Sequence, residues 1–315
     1  MWTIANETVN RGEKKQVYFI PNGLETHKIP ATLICGAKEG ETLCLLAGTH
    51  SGEYPSIPAT IQFAKEVNPS EITGQIVVIH CLNSLGFWES SDALVPDDGM
   101  NLNSSFPGNK EGSSGEKIID FLATEIFPHI DFLLDMHSGG KPEKLAPCLF
   151  WSSIAEEEVV AKTKAAAIAL DFEYLIIGTS RQSLFGYAAL QGIPNLLVER
   201  GEFGTCRKED ITNYKKDIIQ LMKHLKMIDG ELEEVTKGEF YTKNTYFSSD
   251  VEGIWYPEIE VEQKLKKGDV LGHVEDMFGN HIKTYYAEYD SVVYYYYADM
   301  PVKEGTFLVA YGAIA

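Results

Sequence analysis

The 315-residue chain carries 27 basic and 46 acidic side chains, a formal charge of −19, and 44% hydrophobic residues. That length and balance suit a large α/β domain plus a smaller one and a substantial buried core, while a surface this acidic argues against nucleic acid or anionic lipid as partners. No apolar run approaches the ~18 residues of a membrane span, residues 1–17 lack the apolar segment of a secretory signal, and the five cysteines have no paired spacing, so a cytoplasmic chain with reduced thiols is expected.

In chain order, residues 43–47 form a continuous apolar run that ends at Gly48-Thr49-His50, the pattern of a strand buried on both faces. Residues 55–67 have helical spacing and residues 76–80 read as the next strand. A turn-rich stretch over 83–114 is long for a connection, and such segments are often functional. A helix over 115–127, a strand over 132–136, an alanine-rich helix over 155–170, a strand over 174–177, a short helix over 184–190, a strand over 195–199 and a helix over 210–227 follow. Glu156, Glu157 and Glu158 open the alanine-rich helix, where acidic groups favour the positive helix end. This alternation predicts a mixed, largely parallel sheet with helices on both faces, over residues 1–235 including an N-terminal β segment. Beyond residue 234 helical patterns vanish and short Tyr-, Val- and Ile-rich runs alternate with glycine turns, predicting a small all-β sandwich or barrel over 236–315. Two segments, 265–271 and 302–308, echo each other and suggest pseudo-symmetry.

His50 and Glu53 stand three apart directly after a buried strand, so both can converge on one ion. Imidazole with carboxylate suits Zn²⁺, and a catalytic site keeps three protein ligands and an open position. His137 at the end of a later strand is the third candidate ligand, with Asp135 two residues earlier, on the same strand face, placed to orient it. Glu199 ends another strand. In sheets of this kind sites form at the carboxyl ends of strands, which would bring these residues to one rim. His80, His129, His224, His273 and His281 are read as ordinary hydrogen-bonded histidines, and Tyr294–Tyr297 as residues alternating across a strand.

Gly48-Thr49-His50-Ser51-Gly52-Glu53, Asn101-Leu102-Asn103 with Phe106-Pro107-Gly108, Asp135-Met136-His137 and Val198-Glu199-Arg200-Gly201 resemble, in order, the motifs of the succinylglutamate desuccinylase/aspartoacylase family of the zinc carboxypeptidase superfamily. The resemblance spans about residues 30–225 and implies a zinc carboxypeptidase-like fold, one Zn²⁺ per chain on His50, Glu53 and His137, and Glu199 as the catalytic glutamate. The chemistry agrees: zinc polarises an acyl carbonyl and acidifies water, and a nearby carboxylate can carry the proton to the leaving amine. Glu202 is the second choice for that carboxylate, and a structural ion pair between Glu199 and Arg200 or Arg207 the competing role. The expected activity is hydrolysis of the amide bond of a small N-acylated amino acid or amine. A carboxypeptidase-like peptidase and an inactive binding protein on the same scaffold are the alternatives, separable by a metal assay and a substrate panel.

The chain departs from the family where an arginine usually grips a substrate carboxylate: Ser104 stands there, followed by Ser105, and residues 87–100 contain no arginine. Asn103, Ser104 and Arg181 are the candidate substrate-binding residues, with Arg181 as the replacement cation. The preferred expectation is a neutral or amine-bearing group at that subsite, since Asp97 and Asp98 lie near the Asn101 motif. A small-molecule substrate and a homo-oligomer complete the expectations.

Overall fold

The computed structural model describes residues 1–235 and 237–314. β1 (Trp2–Ile4) and β2 (Glu7–Val9) pair with each other, followed by β3 (Glu13–Phe19), β4 (Ile29–Cys35), β5 (Lys38–Ala47), α1 (Ser56–Glu66), β6 (Thr73–Ile79), the short α2 (Ser84–Glu89) and α3 (Ser114–Phe121). Next come β7 (Phe132–His137), β8 (Glu143–Leu145), β9 (Cys148–Ser152), α4 (Glu157–Ile168), β10 (Tyr174–Gly178), α5 (Leu184–Leu190), β11 (Asn195–Glu199) and α6 (Lys208–His224). The remainder is β: β12 (Glu239–Ser248), β13 (Gly253–Pro257), β14 (Lys264–Leu265), β15 (Val270–Glu275), β16 (His281–Tyr286), β17 (Ser291–Tyr297), β18 (Pro301–Val302) and β19 (Phe307–Ile314).

The apolar runs sort their alternating residues into two cores, as the two-residue period of a strand requires. Leu43, Leu45 and Ala47 of β5 face one core with Phe132, Leu134 and Met136 of β7, whereas Cys44, Leu46 and Leu133 face the other. The first core is closed by α1, α4 and α6 through Phe63, Ala166 and Leu221, the second by α3 and α5 through Ile118, Ile119 and Leu184. The sheet is therefore covered by helices on both faces, and it is mixed. β6, β5, β7 and β11 run parallel in that order, β9 lies antiparallel to β11, and β10 and β12 run parallel to β9. The α/β class read from the sequence is the one observed.

The helix expected over 115–127 is shorter. A capping box of Ser113 and Glu116 starts α3, which ends at Phe121, passes through a π turn and closes in a 3₁₀ turn at Phe127–His129. Pro128 lacks the N–H that an α-helix needs and crowds the carbonyl four residues back, so the regular ladder cannot continue. Residues 84–89, read as loop, form α2, capped by the Asn83 side chain on Gly86 N–H.

β12 pairs parallel with β10 and antiparallel with β19, so the large sheet continues past residue 235 into the C-terminal segment. A second sheet, β16-β15-β13-β18, shares a core with it through Trp255, Leu271, Val274, Val293, Val309 and Tyr311. The two echoing segments each give a short strand, a turn and a longer strand: β14 to β15 and β18 to β19. Among the described residues, no helix is long and apolar enough to cross a membrane.

Candidate metal centre

β5, β7 and β11 are adjacent and parallel, so their carboxyl ends form one edge. Glu199 is the direct cross-strand partner of His137, and Leu197 that of Asp135, which puts all four on one face of the sheet. His50 reaches the same edge through the turn after β5. Gly48 makes that turn with φ of +64°, and a Cβ there would lie 2.7 Å from Cys81 Sγ and 2.9 Å from its Cα, so glycine is required. The turn is held by Ser51 Oγ, which donates to the Asp92 carbonyl at 2.7 Å, and by Glu53 N–H on the His50 carbonyl at 3.2 Å.

His50, Glu53 and His137 bring one ligand atom each to within 4.8 Å of one another. His50 Nδ1 lies 2.6 Å from Glu53 Oε1, and His137 Nδ1 lies 2.9 Å from Glu53 Oε2. The outer ring nitrogens face Asn101 and Asp135. Asn101 Oδ1 accepts from His50 Nε2 at 2.9 Å and from Asn103 N–H at 2.8 Å. His137 Nε2 lies 3.0 Å from Asp135 Oδ2, close yet off the alignment of a good hydrogen bond, and Thr49 Oγ1 donates to Asp135 Oδ1 at 3.2 Å. A metal ion would replace the Nδ1 protons that these carboxylate contacts hold, with Nε2–H of each ring left directed outward to Asn101 and Asp135.

The charges fit a cation at the centre. Burial pushes the Glu53 carboxyl up, but the charges of His50 and His137 outweigh it and hold the group at about 2. Burial pulls His137 down, yet Asp135 and Glu53 raise it well above the usual imidazole range; His50 is raised for the like reason, by Glu53. Protons on the imidazoles thus offset the carboxylates where a divalent ion could do so. Glu199 adds to this. Burial first, and then the negative Glu53, push its carboxyl well above the usual range, and its buried Oε2 has no hydrogen-bond partner. A carboxyl so placed holds its proton more tightly than a solvated one, and a cation at the triad would favour its ionised form.

Among the described residues, neither Arg200 nor Arg207 forms an ion pair with Glu199. Arg200 points away and clamps Asp217, with Nε to Oδ2 at 2.6 Å and Nη2 to Oδ1 at 2.9 Å, while Arg207 pairs with Asp210 at 2.8 Å and Glu202 at 3.3 Å. Burial outweighs Arg200 and pushes Asp217 up to about 6, so the pair survives at a desolvation cost. Asp217→Ala would leave the Arg200 guanidinium buried without its counter-charge, and a loss of about 3–5 kcal/mol in urea unfolding is expected.

The triad and Glu199 open into a cavity of roughly 680 Å³. Leu145, Phe150, Ile177, Phe185 and Leu197 give it an apolar wall. Asn103 lines it, and its Oδ1 accepts from Leu184 N–H at the start of α5 at 3.2 Å. Ser104 is half-buried and donates to the Asn101 carbonyl at 2.8 Å, and Arg181 is exposed; neither these two nor Glu202 is among the lining residues. Asp97 and Asp98 bind Ser114 Oγ and Gly115 N–H at the start of α3, outside the lining. Sequence reasoning missed Glu143 and Tyr246, which line the cavity together with Tyr295 of the tyrosine run. It also missed the role of Asn101, for which the Asn-Leu-Asn motif was the available signal. His80 is an ordinary histidine held between Thr32 at 2.8 Å and Thr60 at 3.2 Å.

A sequence model of the succinylglutamate desuccinylase/aspartoacylase catalytic domain matches residues 39–225. Over 274 residues the chain is 27% identical to N-alpha-acetyl-L-2,4-diaminobutyric acid deacetylase of Halomonas elongata, covering 84% of this chain and 80% of that protein. Its fold is similar to that of the product-bound ectoine utilization protein EutE (DoeB) from Ruegeria pomeroyi, with a TM-score of 0.88, 22% identity and 98% of each chain covered. A succinylglutamate desuccinylase/aspartoacylase from Rhodobacter sphaeroides aligns with a TM-score of 0.85, 22% identity and 98% of each chain covered.

Proposed function

Since the chain belongs to the succinylglutamate desuccinylase/aspartoacylase family, matched over residues 39–225, we propose that it is a zinc-dependent deacylase that hydrolyses the amide of a small N-acylated amino acid or amine. The observation that carries this reading is the convergence of His50, Glu53 and His137 in one cavity with the unpartnered carboxyl of Glu199. His50 and His137 would hold the ion through Nδ1 and Glu53 through its carboxylate, with Asn101 and Asp135 fixing the rings. A zinc ion held there would polarise the acyl carbonyl and acidify water, the chemistry that amide hydrolysis needs at neutral pH. Glu199 takes the proton of the attacking water and delivers it to the departing amine. The apolar wall accommodates the acyl group and restricts water.

The deacetylase relative from Halomonas elongata favours acetyl as the acyl group and an α-amino acid as the amine. In the same proposal, residues 1–235 form the hydrolytic unit, and 236–315 form a β unit that supplies part of the cavity wall through Thr242, Tyr246 and Tyr295. The five unpaired cysteines support a cytoplasmic location. Incubation with Nα-acetyl-2,4-diaminobutyrate should release acetate and free diamine in equal amounts. Trimming of C-terminal residues from peptides, with no acetate from any acetylated amino acid, would establish the peptidase alternative instead.

A further inference from the structure

Among the described residues that line the cavity, Glu143 is the one carboxylate that this chemistry leaves unused. It sits at the start of β8, after the Gly139-Gly140 turn, and its Oε2 accepts from Gly140 N–H at 2.8 Å. No basic side chain pairs with it among the described residues, and burial is the main cause that pushes its carboxyl up. Leu145, on the same face two residues on, is the cross-strand partner of Tyr295 in β17. Tyr295 in turn lies near Tyr246 of β12, with ring centroids 6.4 Å apart. All four side chains line the cavity that holds the triad and Glu199. Among the described residues, no arginine lines that cavity, and its basic residue other than the two histidines, Lys243, has its Nζ 3.6 Å above the Tyr289 ring.

A carboxylate that shares the cavity with two aromatic rings and pairs with no Lys or Arg among the described residues matches a protonated amine. The ammonium would donate a charge-assisted hydrogen bond to the carboxylate and be attracted to the ring faces. A substrate anion in the same corner would be repelled. We propose that Glu143, with Tyr295 and Tyr246, forms a subsite for a cationic ammonium group, so that the preferred substrates are N-acylated compounds carrying a second, protonated amine. This rests on the deacylase reading above and goes beyond it by assigning the residues that select the substrate.

The test compares kcat/KM for Nα-acetyl-2,4-diaminobutyrate with that for Nα-acetylnorvaline, its neutral isostere, in the wild-type holoenzyme, in Glu143→Gln and in Glu143→Asp. The glutamine keeps an acceptor for Gly140 N–H, so a role confined to fastening that turn predicts no change in the ratio of the two substrates. The expected result is a wild-type preference for the cation of roughly 10- to 100-fold, lost mainly through KM in Glu143→Gln and largely retained in Glu143→Asp. The same preference in wild type and Glu143→Gln, or no preference in wild type, overturns the subsite while leaving a deacylase. Loss of the preference in Glu143→Asp as severe as in Glu143→Gln also overturns it, because shape rather than charge would then be read. Absence of hydrolysis of both substrates by the zinc-loaded wild type removes the deacylase reading, and the subsite with it.

Discussion

Glu199→Gln is expected to keep its metal and its fold and to lose hydrolysis by a factor of roughly 10² to 10⁴ in kcat, with a much smaller change in KM. The amide is nearly isosteric with the carboxyl, and neither Arg200 nor Arg207 depends on Glu199 for a partner. The substitution therefore removes the capacity to accept a proton and little else. The position makes this specific. Glu199 faces His137 across the β7–β11 pair, whereas Glu202 is held by Arg207 and does not line the cavity. Glu202→Gln is accordingly expected to change kcat by less than about threefold, within the range of an exposed ion pair. A large loss in Glu202→Gln with little loss in Glu199→Gln would reverse the assignment.

His137→Ala is expected to abolish hydrolysis by removing the metal. The side chain is 2% exposed and touches both Glu53 and Asp135, so its loss strips the site of a ligand and leaves the orienting carboxylate without its purpose. The affinity of the intact site should also depend on pH, with a defined sign. The raised values of His50 and His137 mean that both rings hold protons to higher pH than free imidazole. A metal must displace those protons, so affinity rises with pH until both rings are neutral and falls on acidification.

Much of this centre could be read from residue order because a strand buried on both faces leaves a strong trace. The apolar runs before His50, His137 and Glu199 end where β5, β7 and β11 end, and side-chain alternation puts Asp135 and His137 on one face. Sheet order leaves no such trace. That Glu199 stands beside His137 depends on β11 inserting between β7 and β9, which no local pattern encodes. Loop side chains were harder still. Arg181 lies in the turn before α5, and the path of that turn, rather than its composition, leaves the guanidinium exposed. Glu143 stands three residues beyond the Gly139-Gly140 pair and belongs to a three-residue strand paired with Tyr295–Tyr297, more than a hundred positions away, so neither periodicity nor spacing marks it. The tyrosine run alternates, as its place in a strand predicts. Tyr294 and Tyr296 are buried while Tyr295 and Tyr297 are half-buried, and Tyr295 reaches the cavity.

The central claim, that a single zinc on His50, Glu53 and His137 supports hydrolysis, is tested most directly by elemental analysis of wild type and His137→Ala purified side by side without added metal, with acetate release measured on the same samples. The account predicts one zinc per wild-type chain, little or none in the variant, and acetate release that follows the zinc content. A variant that retains a full equivalent of zinc, or a metal-free wild type that hydrolyses as fast as the loaded protein, would contradict it.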